Sequence, residues 1–412
     1  MTHHLLAADA DAFFAGWFWL TILIGVVWLR RHIDIWRAGR DPVLRPDEQG
    51  LPVERLPALT VLVAGKDEEA NIGRCIEGLL AQEYPRLQLI VINDRSRDRT
   101  GEIMDSYAAR DPRVTAVHVS NLPEGWFGKN HAMHVGVRRA TGDWLCFSDA
   151  DCEYDSRQLM ASAVRLARRE GIDFLSVLPR LEAGSFWERV VQPAAGGILV
   201  FWFPPGRVNS PRSATAYANG AFMLLSRTAY DRVGGHDAIR GALNEDMHLA
   251  RRAKSLGLRL YVIRGADMYR VRMYTSIRQI WNGWTRIFYG CFGTPLRLTA
   301  SFLMLAVFSL SPYLALAVSP WAGVGGGWLA GAGLFAVASQ ISVLTRFYGM
   351  TGNGRLWALT YPLGAAFVLG IIANAMRRLS GTPTEWRGTS YVGGAQTLTE
   401  TAPNTTTEQI GS

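Results

Sequence analysis

Charge is distributed unevenly along this chain, and that unevenness constrains its fold more than any other feature. From Leu298 to Ala375 the only charged residues are Arg346 and Arg355, whereas the stretch from Arg30 to Arg286 is densely charged. Three apolar segments fall in or at the edge of the uncharged region: Thr299–Val318, Ala322–Leu344 and Leu356–Met376. Each is near the ~20 residues that a helix needs to cross a bilayer. Glycine recurs within them, as it does where membrane helices pack closely. A further apolar, aromatic-rich segment, Phe13–Leu29, has about 17 residues, close to the lower limit for a span. The chain therefore reads as a charged α/β domain held between membrane segments.

Orientation follows from the basic residues. Arg30, Arg31, Arg37, Arg40 and Arg45 follow the first segment, and only Asp9 and Asp11 carry charge ahead of it apart from histidines. The C-terminal side is thus expected to face the cytoplasm, as an uncleaved anchor and not a signal peptide. The same rule puts the link between the next two segments outside and the link bearing Arg346 and Arg355 inside. A third crossing would then leave Arg377 and Arg378 outside, against the rule. Either that segment spans regardless or it does not cross fully.

With 412 residues, the chain has room for a catalytic domain of about 250 residues besides these segments. The net charge of +8 raises the question of nucleic acid. Its aromatic residues are not interleaved with basic ones in the manner of a nucleic-acid module, however, and much of the basic excess lies beside apolar segments, where anionic lipid accounts for it. No nucleic-acid partner is expected. Cys75, Cys146, Cys152 and Cys291 have neither redox-motif nor zinc-site spacing, which favours a reduced, cytoplasmic domain.

After a proline-rich linker, Asp41–Pro57, apolar strand-like runs alternate with helical periodicities. Strands are expected at 59–63, 87–92 and 114–119, and helices at 68–82, 100–110 and 131–140. A buried strand then ends at Trp144-Leu-Cys-Phe-Ser-Asp149-Ala-Asp151. That alternation predicts a doubly wound parallel sheet with right-handed crossovers. Val190–Pro205 is apolar but broken by Gly and Pro, and reads as a helix or loop at the membrane surface or as ordinary core. The Thr- and Asn-rich tail from Gln396 has the composition of a disordered segment.

In open α/β sheets, chemistry sits beyond the carboxyl ends of the strands. Asp149 and Asp151 stand there, two residues apart on an extended backbone, so both can reach one hard cation that also holds phosphate oxygens. An isolated Asp-x-Asp is otherwise a solvated turn. The first strand ends in Gly65-Lys-Asp-Glu68-Glu69-Ala-Asn71 and the second in Asn93-Asp94-Arg95-Ser96-Arg97-Asp98-Arg99-Thr100. Both are compatible with helix capping, or with Glu68 and Asp94 receiving a ribose or base. Lys129, in Gly128-Lys129-Asn130, can neutralise a pyrophosphate or simply be solvated. Leu243-Asn244-Glu245-Asp246-Met-His248 places adjacent carboxylates at a helix start.

Taken together and in this order, these four motifs and the later Glu-Asp pair resemble the nucleotide-sugar domain of family 2 glycosyltransferases over roughly residues 59–289. The resemblance implies a GT-A fold, that is, a Rossmann-like α/β domain with a mostly parallel sheet, here joined to transmembrane helices. It implies that Asp94 contacts uracil, that Asp149 and Asp151 organise Mg2+ or Mn2+ on the diphosphate, and that Lys129 lies near the phosphates. It also implies that Asp246, with Glu245 beside it or on the acceptor, takes the acceptor's proton as it attacks, with inversion at the sugar. His248 is an alternative base or a structural residue. Family members of the membrane often carry Gln/Arg-x-x-Arg-Trp. Here the region reads Ile280-Trp281-Asn-Gly283-Trp284-Thr-Arg286, so Trp284 can stand for the tryptophan while Gly283 replaces the arginine. Arg286, Arg278 or Arg272 can supply the lost charge, which places Trp284 and Arg286 in the acceptor or phosphate region. This form, with Trp386–Tyr391, resembles lipid-directed members: hopanoid-associated, carotenoid-type and ceramide-type enzymes.

The expected organisation is an anchor over 1–34, a linker over 35–57, the catalytic domain over 58–294, membrane helices over 295–378 and a tail over 379–412. The expected function is transfer of a sugar from a UDP-sugar, UDP-glucose first, to a lipid acceptor at the cytoplasmic face of the cell membrane. A processive polysaccharide synthase, an inactive scaffold of the same fold and a nucleotidyltransferase are the alternatives. The four carboxylates speak against the scaffold.

Overall fold

The structure is a computed structural model that describes residues 2–46, 51–265, 267–292, 294–379, 384–386, 389–392 and 395–396. The tail beyond Gln396 and the Arg387–Gly388 centre of the late tryptophan motif lie outside the described residues.

Helix α1 (Thr2–Ala38) runs well past the apolar Phe13–Leu29 core. The chain then enters the α/β domain directly. Val43 bridges Arg264, and Leu44 and Leu56 are buried, so the expected linker is partly packed against the domain. Strands β1 (Leu59–Gly65), β2 (Leu87–Asp94), β3 (Val114–Val119) and β4 (Trp144–Asp149) alternate with helices α2 (Ile72–Leu80), α3 (Thr100–Ala108) and α4 (Gly128–Val137). The apolar runs of β1, β2 and β4 are buried on both faces, as central strands of a parallel sheet require, and each fully buried Val, Leu or Ile contributes about 1.5–3 kcal/mol over an exposed one. Then follow β5 (Cys152–Tyr154), α5 (Leu159–Glu170), β6 (Phe174–Leu178), β7 (Arg180–Leu181), α6 (Phe186–Trp202), α7 (Pro205–Val208), β8 (Phe222–Ser226) and α8 (Arg227–Arg232). The domain closes with α9 (Glu245–Ser255), β9 (Leu260–Arg264), β10 (Tyr269–Val271) and α10 (Ile277–Phe292).

The main sheet has the order β3-β2-β1-β4-β8-β6-β9 and is parallel except at β8, which is antiparallel to β4 and β6. A second sheet, β5-β10-β7, stands beside it. Register is what positions the site. Ala64 pairs with Asp149 across β1–β4, and Gly65 with Asn93 across β1–β2, so three strands end at one level and their polar residues emerge along one rim.

The membrane region comprises α11 (Pro295–Met304), a π-helical turn (Leu305–Leu310), α12 (Ser311–Val318), α13 (Gly326–Met350) and α14 (Tyr361–Arg378). With α1, the stretches Pro295–Trp321, Gly326–Met350 and Arg355–Arg378 are each long and apolar enough to cross a membrane. The direction of the last, left open by its sequence, follows from its contacts. Thr299, at the start of α11, donates to the sulfur of Met376, at the end of α14, while Ser309 bonds Tyr361. Asn374 donates to Thr285 on α10. Helix α14 therefore runs antiparallel to the Pro295–Trp321 stretch and brings Arg377 and Arg378 back to the side of the α/β domain. Beyond it, β11 (Thr384–Trp386), β12 (Thr389–Val392) and β13 (Ala395–Gln396) form an antiparallel sheet.

Val190–Pro205 is mostly one helix. Ser185 and Glu188 form a capping box at the start of α6. One side of α6 is packed: a Cβ on Gly364 of α14 would lie 2.2 Å from the Val190 carbonyl oxygen. The other side leaves Phe186, Val200 and Phe201 exposed, with Arg31 over the Phe201 ring at 5.0 Å. The helix thus has a core face and an apolar face rimmed by arginine, combining the two readings its sequence allows.

Candidate functional site

A cleft of about 3040 Å³ opens beyond the carboxyl ends of β1, β2 and β4, and it is lined by Glu68, Asp94, Lys129, Asp149, Asp151, Glu245, Asp246, Trp284 and Arg286. Every residue given a site role from the sequence, apart from the alternative base His248, is therefore brought to one cavity. The same cavity continues past α6 to Trp28 of α1, Phe308 of the π-helical turn and Phe347 of α13. It joins the polar rim to the membrane helices without a wall between them.

The loops after β1 and β2 are stitched together by side chains. The amide of Asp67 donates to Ser96 Oγ (3.0 Å), that of Glu68 to Thr100 Oγ1 (2.8 Å), and that of Arg97 to Asp67 Oδ1 (2.8 Å). Asp67 and Arg95 hold left-handed backbone conformations, φ 54° and 58°, unusual for residues with a side chain. Asp98 caps α3 through Thr100. Asn71 Nδ2 donates to Glu68 Oε2 at 2.9 Å, steadying that carboxylate at the cleft edge. Asp94 is nearly buried, and Arg95 donates to both its oxygens at 2.8 and 3.2 Å. Any ligand of Asp94 must share it with this guanidinium, an arrangement that sequence alone did not announce.

Lys129, on the first turn of α4, donates to Asp149 Oδ1 at 2.5 Å and also bonds Glu245. Burial alone would pull its pKa down, but Asp149 and Glu245 outweigh burial and hold the ammonium charged. The Asp151 carboxyl is pushed up to about 7, by burial first and then by Asp149 and Glu68. Asp246 is likewise pushed up to about 7, by burial and then by Glu245. Its Oδ2 accepts from the Gly220 amide at 3.1 Å and its Oδ1 from Met247 at 2.7 Å, fixing it at the start of α9. His248 does not line the cleft, and burial lowers its pKa.

Among the described residues no three His, Cys, Asp or Glu side chains converge as a metal cage. Two hard oxygen donors do converge at the end of β4, and the pressure of like charge on Asp151 is what a divalent cation would relieve. The residues fit an ion that completes its coordination with phosphate oxygens and water, as Mg2+ and Mn2+ do.

On α10, the arginine of the family pattern is absent for a steric reason. The Tyr274 ring lies over Gly283, where a Cβ would come within 2.1 Å of the hydroxyl oxygen. Arg286 stands beside Tyr274 in the cleft, Arg278 also lines it, and Arg272 is instead paired with buried Glu188 at 3.0 Å. Trp284 is buried, its indole N–H without a partner. Tyr274 escaped the sequence reading because it precedes the helix by several residues, with nothing local to mark it. Gln192 escaped too, although it is the one amide side chain in Val190–Phe203.

A sheet of this order with carboxylates on its rim is the nucleotide-sugar fold of GT-A glycosyltransferases. The structure aligns with a mannosyltransferase from Pyrobaculum calidifontis solved with GDP-Man and Mn2+ (TM-score 0.51, 18% identity), over 88% of this chain and 97% of that one. Residues 60–234 match the model of glycosyl transferase family 2, and residues 206–372 that of glycosyl transferase family group 2. The two matches together span residues 60–372, so the chain carries family 2 glycosyltransferase domains. It is similar to the 4,4'-diaponeurosporenoate glycosyltransferase of Staphylococcus aureus strain USA300, 27% identical over 273 residues, which are 64% of this chain and 69% of that relative. The protein of strain MRSA252, of the same name, is 28% identical over the same shares.

Proposed function

We propose that this glycosyltransferase moves a single sugar from a UDP-sugar, UDP-glucose being the first candidate, to an oxygen of a carotenoid-type lipid. The observation that carries this reading is the continuity of the cleft from the carboxylate rim to the membrane helices. A soluble donor can enter from one end and an apolar acceptor from the other. Similarity to glycosyltransferases named for a carotenoid acid supports the same acceptor class.

In this reading Asp94 and Glu68 hold the nucleoside, and Lys129 exchanges its carboxylate partners for the diphosphate. Asp149 and Asp151 would hold Mg2+ or Mn2+, which when bound neutralises the leaving diphosphate. Asp246 accepts the acceptor's proton, and Glu245 keeps Asp246 basic enough to do so. A hydroxyl attacks the anomeric carbon directly, its proton passing to Asp246 as UDP departs with the bonding electrons, which inverts the configuration. Trp284 and Arg286 line the acceptor or phosphate side. The catalytic domain, residues 58–294, works at the cytoplasmic face of the cell membrane between the anchor and the helices of 295–378. Three segments, α1, α11–α12 and α13, cross the bilayer, and α14 returns to the domain side.

The test is UDP release by the detergent-purified protein from a panel of UDP-sugars, with Mg2+ or Mn2+ and a carotenoid-containing lipid extract. Metal-dependent release that requires the lipid supports the reading. Pyrophosphate release in its place, long polysaccharide products, or no release by folded protein would each overturn it.

A further inference from the structure

One helix face remains without a role. Along α6 and at its C-cap, Gln192, Gly196, Leu199 and Phe203 recur at helical spacing, and they line the cleft together with neighbours such as Gly197 and Ile198. Gln192 is 4% exposed, yet neither its amide nitrogen nor its amide oxygen has a hydrogen-bond partner. Leaving such a group unsatisfied costs about 1–3 kcal/mol, so an amide kept in this state beside an open cavity calls for a partner that arrives from outside. A methionine or leucine would fill the site without that cost.

The glycines point the same way. A Cβ on Gly196 would meet nothing within 4 Å, and one on Gly197 would meet only the Phe347 ring at 4.0 Å. Glycine inside a helix is less favourable than alanine by about 1 kcal/mol. Here no packing contact requires it, and what the two glycines supply is width. From Gln192 to Phe203 the face extends about 16 Å at the helical rise per residue. Phe203 stacks on Tyr217 at 5.7 Å, and Tyr217 feels the charge of Asp246. The face thus leads from the Asp246 end of the cleft toward Gln192.

Resting on the function proposed above, we infer that this face of α6 is the wall along which the acceptor's apolar chain lies, and that the Gln192 amide hydrogen-bonds an oxygen function carried by that lipid. The geometry makes Gln192 a determinant of acceptor specificity, separating oxygenated chains from hydrocarbons of the same length. Gly196 and Gly197 set the width of the channel.

Binding tests this without turnover, through quenching of tryptophan fluorescence in detergent by retinol and by axerophthene, its hydrocarbon counterpart without the oxygen. The full-length wild type is expected to prefer retinol by about tenfold, the equivalent of one buried hydrogen bond that would otherwise be unmade. Gln192→Met should bring that ratio close to one while leaving affinity for UDP unchanged. Gly197→Leu should weaken both polyenes alike, again sparing UDP. A wild-type ratio near one, or a Gln192→Met protein that keeps the wild-type preference, overturns the inference. Failure of the broader reading shows separately, as absent UDP release in the turnover assay.

Discussion

Lys129 Nζ lies 2.5 Å from Asp149 Oδ1, and the same ammonium bonds Glu245, so one cation ties the end of β4 to the start of α9. Without it, two carboxylates on opposite walls of the cleft would face each other. Lys129→Met is expected to lower stability by roughly 2 kcal/mol, less than for a fully buried pair because Asp149 is partly exposed. Thermal unfolding of the purified variant measures this. Saturating UDP-sugar and Mn2+ should restore part of the loss, since bound cation replaces the missing charge. An unchanged melting temperature would mean that the tie has no structural weight.

Asp149→Asn and Asp151→Asn remove one charge each from the rim. Each should weaken binding of UDP in the presence of Mn2+ by at least about tenfold, the equivalent of about 1.4 kcal/mol, while affinity in EDTA stays near that of the wild type. Titration calorimetry with and without metal separates the two. Equal losses under both conditions would remove these residues from the metal assignment.

Asp246 must be ionised to accept a proton, and burial with Glu245 at its side raises its pKa to about 7. The sign follows directly. Activity is full above that value and falls about tenfold per pH unit below it. Glu245→Gln removes a neighbouring negative charge, so the inflection should move to lower pH. Asp246→Asn should keep donor affinity but lose about 10²–10⁴ in turnover. An acceptor that arrives as a carboxylate has no proton to give up. A profile without the acidic limb would therefore identify a carboxylate acceptor and leave Asp246 without the work assigned here.

Gly283 cannot carry a side chain while Tyr274 lies where it does. Gly283→Ala should cost about 1–3 kcal/mol as the ring is displaced, the usual range for overpacking. Combining it with Tyr274→Ala should recover much of that loss, a non-additivity expected only of residues in contact. Chemical denaturation of the two single variants and the double variant completes the cycle.

How much of this was legible in the sequence depended on range. The strands of the first half are marked by uninterrupted apolar runs ending in polar residues, so Leu59–Gly65 through Trp144–Asp149 and the carboxylates on their rim could be read locally. Direction could not. Phe222–Ser226 is a short apolar run like the others, and only its place between two partners makes it antiparallel. The Asp94–Arg95 pair depends on a left-handed backbone at Arg95, which no residue preference announces. The substitution at Gly283 was visible, but its cause, a tyrosine ring arriving from ahead of the helix, was a contact in space. Arg377 and Arg378 conflicted with the charge rule only while α14 was taken to cross.

That conflict yields the last expectation. Helix α13 ends at Met350, where Arg346 and Gly349 share a groove with Trp36 and Arg40 at the end of α1, beside the α/β domain. The chain then rises to Tyr361, level with Ser309 within the Pro295–Trp321 stretch, and descends to Met376 beside Thr299. Both ends of this excursion lie on the domain side, which in the proposed topology is the cytoplasmic side, where Arg377 and Arg378 are favoured. A cysteine introduced at Leu379 should accordingly react with an impermeant maleimide from the same side as one at exposed Leu51 of the domain. The native cysteines Cys75, Cys146, Cys152 and Cys291 are all buried and leave a low background. Labelling of the two positions in inverted but not right-side-out vesicles is the expected pattern. Reaction at Leu379→Cys from the opposite side would make α14 a fourth span and restore the conflict.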